Sequence, residues 1–140
     1  MIEGNKKPKV VIIRSRSTDP AIRKVAHSLH REGYNVTLLI WERKGKKFVS
    51  LESCEYTVEY FCLPAPQDKL PAVLFFPIWW LYELFYLLRK NPDIIHACDF
   101  DTLYPAIISK ILRKQSLVYM IYDFYANNLP NGSFQLVRNI

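Results

Sequence analysis

Polar and ionisable side chains follow three apolar runs of the sequence, at points where buried strands are expected to end. Residues 14–19 (Arg-Ser-Arg-Ser-Thr-Asp) bring two guanidinium groups to the start of a predicted helix, whose amides and dipole favour an anion such as phosphate. Residues 96–101 (His-Ala-Cys-Asp-Phe-Asp) combine an imidazole with carboxylates, which suits a general base or a hydroxyl-binding site. Residues 122–128 add phenol, carboxylate and amide groups. These groups suit a sugar, because each sugar hydroxyl both donates and accepts hydrogen bonds.

Each of these side chains also has a purely structural interpretation. Asp19 and Asp101 stand where a helix cap is expected, and the arginines of the first loop can be solvated. His96 can be a hydrogen-bonded core residue. If Asp101 caps a helix, Asp99 is the carboxylate that remains available to bind the hydroxyls of a polyol. A metal site is not expected, because the histidines other than His96 fall on the first predicted helix and cannot complete a set of ligands with Cys98.

The elements that position these loops follow from hydrophobic periodicity. Five apolar runs are typical of strands, the third of them edge-like, and they lie near residues 9–14, 35–41, 56–63, 93–97 and 117–122. Three helices are predicted between them: one from the cap Asp19 to Gly33, one over 71–90, and one capped by Asp101 with Leu103, Ile107, Ile108 and Ile111 as its apolar positions.

The order β-α-β-β-α-β-α-β predicts an α/β protein with a single Rossmann-like, doubly wound parallel sheet of strand order 3-2-1-4-5. Ligands of such sheets bind beyond the carboxyl ends of the strands, near the switch point between strands one and four. The three polar loops meet at that edge. However, neither G-x-G-x-x-G nor G-x-x-x-x-G-K-[ST] occurs, so dinucleotide binding through a glycine-rich loop is disfavoured.

Composition limits the class of protein. The chain has 140 residues, of which 50% are hydrophobic and 23% charged, which fits one domain with a proper core. Three scattered cysteines without a C-x-x-C pair, and a polar N-terminus, predict a reducing, cytoplasmic setting. The net charge of +6 favours anionic partners without choosing among them. Residues 43–47 form one short basic turn, more typical of a solvated hairpin than of a nucleic-acid site, so no nucleic-acid partner is expected.

The second predicted helix is apolar on nearly every face. Residues 70–88 approach the roughly 20 residues that span a bilayer, but Pro71, Pro77 and Glu83 interrupt them. Trp and Tyr favour membrane interfaces, and the positive net charge favours an anionic surface. Residues 73–88 are therefore a candidate for peripheral membrane contact, with packing in the core or against another domain as the alternative.

Taken together, these segments resemble the N-terminal domain of family-4-type glycosyltransferases, which have the GT-B fold. The residues that carry the resemblance are STDP at 17–20, RKVAHSL at 23–29, EGYNVTLLIWER at 32–43, PDIIHACDFDTLYPA at 92–106 and LVYMIYDFY at 117–125. The resemblance covers about residues 8–128. Single motifs of this kind occur in many Rossmann domains, and it is their order and spacing that is specific.

The resemblance implies an enzyme with two Rossmann-like domains, of which the N-terminal one mainly holds the acceptor and the C-terminal one the nucleoside-diphosphate sugar. It implies a metal-independent hexosyl-type transfer with no cofactor besides the nucleotide sugar as co-substrate. We expect a mobile N-terminus at residues 1–8, the acceptor-side domain at 9–128, and a tail or truncated linker at 129–140. The expected partner is the missing C-terminal donor-binding domain, without which the 140 residues are expected to be inactive.

Three departures from the family pattern bear on function. The family often has His-x-His-Asp after the fourth strand, where this chain has Cys98 in place of the second histidine. After the fifth strand it often has His-Asp, where this chain has Tyr122, and its first loop often contains glycine, which is missing here. Tyrosine can bind a sugar hydroxyl but is a poor base near neutral pH. A non-catalytic binding or partner subunit of the same fold is therefore the alternative function.

The residues and the resemblance together define a predicted site. The predicted catalytic residues are His96, Tyr122 and Asp123, and the predicted substrate-binding residues are Arg14, Arg16, Asp19, Asp99 and Asn127. The expected reaction is transfer of a sugar to a glycan or a lipid-linked acceptor. It would take place in the cytoplasm, at a membrane surface contacted through residues 73–88.

Overall fold

The computed structural model of the protein describes residues 6–16, 20–43, 55–66 and 69–122. The strands are β1 (Lys9–Arg14), β2 (Asn35–Glu42), β3 (Thr57–Cys62), β4 (Ile94–Cys98) and β5 (Ser116–Met120). The helices are α1 (Pro20–Arg31), the short α2 (Lys69–Ala72), α3 (Phe76–Lys90) and α4 (Leu103–Arg113). Single 3₁₀ turns at Val73–Phe75 and Phe100–Thr102 precede α3 and α4.

The strands form one parallel sheet of order β3-β2-β1-β4-β5, which confirms the predicted fold class and strand order. At its centre Ile12 of β1 lies beside Leu38 of β2 and His96 of β4. The chain reverses direction across the sheet between β1 and β4, so their carboxyl ends form the switch point where ligands of such sheets bind.

Side chains alternate between the two faces of the sheet, and each face carries its own core. Val10 and Ile12 pack with Ile22 and Ala26 of α1, whereas Val11 and Ile13 pack with Trp79 and Leu87 on the opposite side. Because β1 and β2 are covered on both faces, they are nearly continuous apolar runs in the sequence. Gly33 ends the turn after α1 with φ +93°, as the sequence predicted.

The predicted single helix over 71–90 is wrong in detail, because the 3₁₀ turn Val73–Phe75 separates α2 from α3. Pro77 explains where the long helix begins. Proline has no N–H to donate inside a helix but is tolerated in the first turn, and α3 accordingly starts one residue before it. Within the described ranges, no helix combines the length and the apolar character needed to cross a bilayer.

Two expectations for the third predicted helix are also wrong. Asp101 does not cap α4, since the N-cap is Thr102 and makes no side-chain capping bond, while the Asp101 carboxyl turns towards β1. The isoleucine stripe does not face the sheet either. Pro105, Ala106 and Ser109 are the buried residues of α4. Small side chains let a helix lie close to the sheet, and the larger isoleucines are left pointing outwards.

Candidate functional site

The carboxyl ends of β1, β4 and β5 bring four of the predicted site residues together. The guanidinium carbon of Arg14 lies 5.1 Å from the ring centroid of Tyr122, a cation–π arrangement between the ends of β1 and β5. Asp99 follows β4 directly and bonds to the backbone of Tyr122. His96 lies within β4, two residues before its end. Asp19, Asp123 and Asn127 lie outside the described residues, so their predicted roles stay predictions.

Asp99 connects the ends of β4 and β5. Its Oδ1 accepts the backbone N–H of Tyr122 at 2.9 Å, and its own N–H donates to the carbonyl of Met120 at 2.9 Å. Its backbone has φ +66° and ψ 168°, a region that residues other than glycine rarely occupy, at a cost of about 1–3 kcal/mol. The side chain is buried, so it holds the two strand ends in place rather than projecting freely towards solvent.

The His96 imidazole is nearly buried on the α1 side of the sheet, between Ile12 and Val118 in the neighbouring strands. Burial lowers its pKa below the ordinary 6.5, so the ring is neutral at physiological pH. Its Nε2 has no hydrogen-bond partner among the described residues. A neutral imidazole nitrogen can accept a hydrogen bond or a proton. Because Nε2 is itself buried, a ligand hydroxyl reaches it only after neighbouring side chains move.

A buried contact between β1 and β4 was not anticipated. The Ser15 hydroxyl, just after β1, donates to Oδ2 of Asp101, 86 positions further along the chain. The indole Nε1 of Trp80 donates to the Asp101 backbone carbonyl at 2.8 Å. Burial raises the pKa of the Asp101 carboxyl, with the Ser15 hydrogen bond acting in the opposite direction. The two loops at the switch point are therefore tied to each other and to α3.

Glu83 lies beneath this contact, on the inner face of α3. Its side chain is fully buried, and neither carboxyl oxygen has a hydrogen-bond partner in the described part of the chain. Burial, with a smaller contribution from the charge of Asp101, raises its pKa well above the ordinary 4.5, which favours the protonated form in the folded state. The indole Nε1 of Trp79, four residues earlier, is likewise buried and unpaired. In the sequence, the only signal of this feature is one glutamate in a helix that is otherwise uncharged up to its basic last turn.

Guanidinium groups surround the same edge. Arg43, at the end of β2, lies with its guanidinium carbon 4.3 Å from the Trp41 ring centroid and 5.6 Å from that of Phe76. Arg16 and Arg43 both lower the pKa of Asp101, although less than burial raises it. Arg14, Arg16 and Arg43 therefore bring three guanidinium groups near the ends of β1 and β2. The sequence predicted a phosphate-binding role only for Arg14 and Arg16.

Two open hollows lie at the opposite edge of the sheet. One of about 280 Å³ is lined by Lys9, Asn35 and Thr57 among others, and one of about 490 Å³ by Tyr82 and Tyr86 with nearby cations. Both are at the amino ends of the strands, where doubly wound sheets do not bind their ligands. In the ranges that the structure covers, no cluster of His, Cys, Asp and Glu could hold a metal ion.

Comparisons with known proteins give a common fold but no family. No family profile matches the sequence, and no curated protein matches it. Among solved structures, the chain is similar to the C-terminal domain of the PF1911 hydrogenase from Pyrococcus furiosus, with TM-score 0.65, 12% identity, and 81% of this chain and 90% of that chain covered. It is also similar to a kitacinnamycin glycotransferase, with TM-score 0.63 and 12% identity, and to MurG from Acinetobacter baumannii, with TM-score 0.57 and 13% identity.

The last two likenesses cover nearly all of this chain, 96% and 94%, but only 34% and 39% of the longer chains. The chain therefore spans little more than a third of these two proteins. At this level of identity the likenesses establish the fold alone, a Rossmann-like sheet that glycosyltransferases share with other proteins. The family-4 resemblance stays a prediction from the sequence motifs.

Proposed function

We propose that this chain is the acceptor-side domain of a glycosyltransferase that transfers a sugar from a nucleoside-diphosphate sugar. The observation that carries the proposal is the match of almost the whole chain to part of two longer proteins, the kitacinnamycin glycotransferase and MurG. The second support is local. The same sheet edge gathers an unpaired imidazole, a phenol and several guanidinium groups, which are side chains that bind hydroxyl-rich and phosphate-bearing ligands.

In the proposed reaction, the neutral imidazole of His96 accepts a hydrogen bond or the proton of the acceptor hydroxyl as that oxygen bonds to the anomeric carbon of the donor sugar. The bond from that carbon to the diphosphate breaks, and the nucleoside diphosphate leaves with its electron pair. Tyr122 and Asp123 bind neighbouring hydroxyls. Arg14 and Arg16 face phosphate on the donor or on a lipid-linked acceptor. We assign no metal to the reaction, in line with the family resemblance, and the nucleotide sugar serves as co-substrate.

The donor is held by a second domain in this proposal. The glycosyltransferase chains that match are more than two and a half times the length of the matched region, which leaves room in them for at least one more domain. We propose that this domain works with a donor-binding partner, whether in the same polypeptide or in a separate chain, and is inactive alone. The acceptor is a glycan or a lipid-linked acceptor, and in the lipid-linked case the domain would meet it at the cytoplasmic face of a membrane.

A non-catalytic binding or partner subunit is the second candidate. It is favoured by the likeness to the C-terminal domain of the PF1911 hydrogenase, because this chain covers 90% of that separately solved domain of a protein that is not a glycosyltransferase. The presence of Tyr122 where the family often has histidine points the same way. This candidate predicts a stable complex with another protein and no consumption of nucleotide sugar.

The test is transfer activity of the full chain after co-purification with its donor-binding partner. A panel of nucleoside-diphosphate sugars is offered with polyprenyl-phosphate and oligosaccharide acceptors, and product and donor hydrolysis are both measured. We expect His96→Ala to lower kcat by on the order of 100-fold, which is typical for loss of a general base. His27→Ala, an exposed histidine on α1, is the matched control and should leave kcat unchanged. Absence of donor consumption by the complex, or equal activity of the two variants, would refute the proposal.

A further inference from the structure

An outward-facing apolar stripe distinguishes α4 from an ordinary surface helix. Tyr104, Ile108, Ile111 and Leu112 are all exposed, and Ile111 is 71% exposed. These positions recur at helical spacing and so form one continuous stripe. A surface helix normally turns such a stripe towards the core, but α4 contacts the sheet through its small residues instead.

The neighbouring helix extends this surface. Leu74, Ile78, Leu81 and Phe85 form a second exposed stripe on the 3₁₀ turn and α3, and Phe85 is 70% exposed. The two helices pack side by side, with the rings of Trp80 and Tyr104 5.4 Å apart between them. The eight exposed residues of the two stripes are called the α3–α4 face. At roughly 150–200 Å² for each fully exposed side chain, the face presents about 800 Å² to solvent, more than the largest apolar patch of a typical monomer.

The tryptophans and tyrosines that suggested membrane contact in the sequence are not the residues that form this face. Trp79 and Tyr86 are buried against the sheet, and Trp80 is half-buried between the helices. The exposed residues are mainly aliphatic. Ile108 and Ile111 were expected only as apolar positions of the third predicted helix, and it is the structure that identifies the α4 half of the face as surface.

The exposed charges on α3 and α4 themselves are all positive. Glu83 is the only carboxylate within α3 and α4, and it is buried. The last turns of the two helices carry exposed basic residues: Arg89 and Lys90 on α3, Lys110 and Arg113 on α4, followed by Lys114. Lys90 is paired with Glu59 at 2.9 Å. The complementary surface must therefore be both apolar and anionic.

A second protein molecule fits this surface less well than a lipid bilayer does. A protein interface of this size normally contains about ten hydrogen bonds. Among the eight side chains of the face, only Tyr104 has a polar atom, whereas the acyl region of a bilayer requires no hydrogen bonds. A second copy of the chain would bring no exposed carboxylate on α3 or α4 to meet the basic residues.

We infer that the α3–α4 face lies on an anionic lipid bilayer, with both helices in the membrane plane and the basic residues at their last turns contacting lipid head groups. Helices of such sheets run opposite to the strands, so the first turns of α3 and α4 lie at the edge that carries the candidate site. Phe100, which is half-exposed and follows Asp99 directly, links this face to that edge. If the proposed function holds, a lipid-linked acceptor in the same bilayer reaches the site there.

Vesicle co-sedimentation of the full chain tests the inference without any nucleotide sugar. The vesicles are phosphatidylcholine alone or an equal mixture of phosphatidylcholine and phosphatidylglycerol. We expect binding to the mixed vesicles, lowered about 25-fold by the double substitution Lys110→Gln and Arg113→Gln, since each basic residue near the surface contributes about five-fold. Leu81→Gln with Ile111→Gln should lower binding to both kinds of vesicle at least ten-fold.

The matched control is the double substitution Lys24→Gln and Arg31→Gln, which removes the same charge from exposed positions of α1 on the other side of the sheet. It should lower binding less than three-fold, because charges beyond a Debye length from the bilayer are screened. Equal losses in the two charge variants, or no binding of the unaltered chain, would overturn the inference. So would a dimer in solution that Ile111→Gln dissociates, because the face would then belong to a second copy. Vesicle binding without sugar transfer would refute only the proposed function.

Discussion

Replacing Glu83 by glutamine is expected to stabilise the folded protein at neutral and alkaline pH and to change little at acid pH. Glu83 is fully buried on α3, and neither of its oxygens has a hydrogen-bond partner among the described residues. Burial is the main cause that raises its pKa, and the nearby charge of Asp101 acts in the same direction. Glutamine keeps the shape of the side chain and cannot ionise. The substitution therefore isolates the part of the free energy of unfolding that depends on the protonation of Glu83.

The sign follows from which state binds the proton more tightly. The folded state holds it above the ordinary pKa of 4.5, whereas the unfolded chain releases it near that value. Below that pH both states are protonated and nothing is lost. As the pH rises towards the folded-state pKa, the free energy of unfolding falls by about 1.4 kcal/mol per pH unit. For a chain of this size, the change over one pH unit corresponds to a decrease of roughly 4 °C in Tm. Asp101, whose pKa is also raised, adds a slope of the same sign over its own pH range, and the variant retains it.

Urea denaturation of the full chain at several values between pH 4.5 and 8.5 measures the effect, as the difference between variant and unaltered protein at each pH. The difference should be near zero at the acid end and should widen as the pH rises. Glu32→Gln, an exposed glutamate after α1, is the control and should give a flat difference. Parallel stability profiles for Glu83→Gln and the unaltered chain would show that Glu83 is not held protonated in the folded state.

Three further substitutions or titrations address the sheet edge. Ser15→Ala removes the donor to Asp101 and should cost about 1–3 kcal/mol in urea denaturation, because a buried carboxyl oxygen loses its partner. Asp99→Ala should cost about 2 kcal/mol, since it removes the acceptor for the Tyr122 N–H at a positive φ, whereas Asp99→Asn should cost less than half of that. An NMR titration of His96 should give a pKa below 6.5, and a value above 6.5 would contradict its burial as a neutral ring.

The strands, the helices and their order could be predicted from the sequence, because the spacing of apolar residues differs clearly between strands and helices. The runs that became β1 and β2 are apolar at nearly every position, and Gly33 marks the end of α1. The orientation of α4 could not be obtained in this way. The helix has an isoleucine stripe and a stripe of small residues, and which of them faces the sheet depends on how closely the helix approaches β4 and β5, a tertiary distance that periodicity does not contain.

The position of the candidate site was predictable in part, because it follows from the predicted strand order. The rule that ligands bind at the switch point placed Arg14, His96, Asp99 and Tyr122 at one edge, and the structure brings them to that edge. The network beneath them was not predictable. Ser15 and Asp101 are 86 positions apart, and their contact exists only because β1 and β4 are neighbours in the sheet. A capping role for Asp101 was the simplest local interpretation, and the long-range hydrogen bond replaces it.

Three energetically unfavourable features occur at or beneath this edge. At each of them, a residue that destabilises the fold less would serve a purely structural purpose. Glycine at position 99 would adopt φ +66° without strain, and leucine or glutamine at position 83 would avoid a buried ionisable group. The carboxyl of Asp101 is likewise buried, and its Oδ1 has no hydrogen-bond partner among the described residues. Together these features cost several kcal/mol, a large part of the net stability of a domain this size. Such costs are typical where function constrains the residues. Asp99 contacts the Tyr122 backbone, Asp101 follows β4, and Glu83 interacts electrostatically with Asp101, so these features favour the carboxyl ends of β1 and β4, rather than the hollows on the opposite edge, as the working surface of the domain.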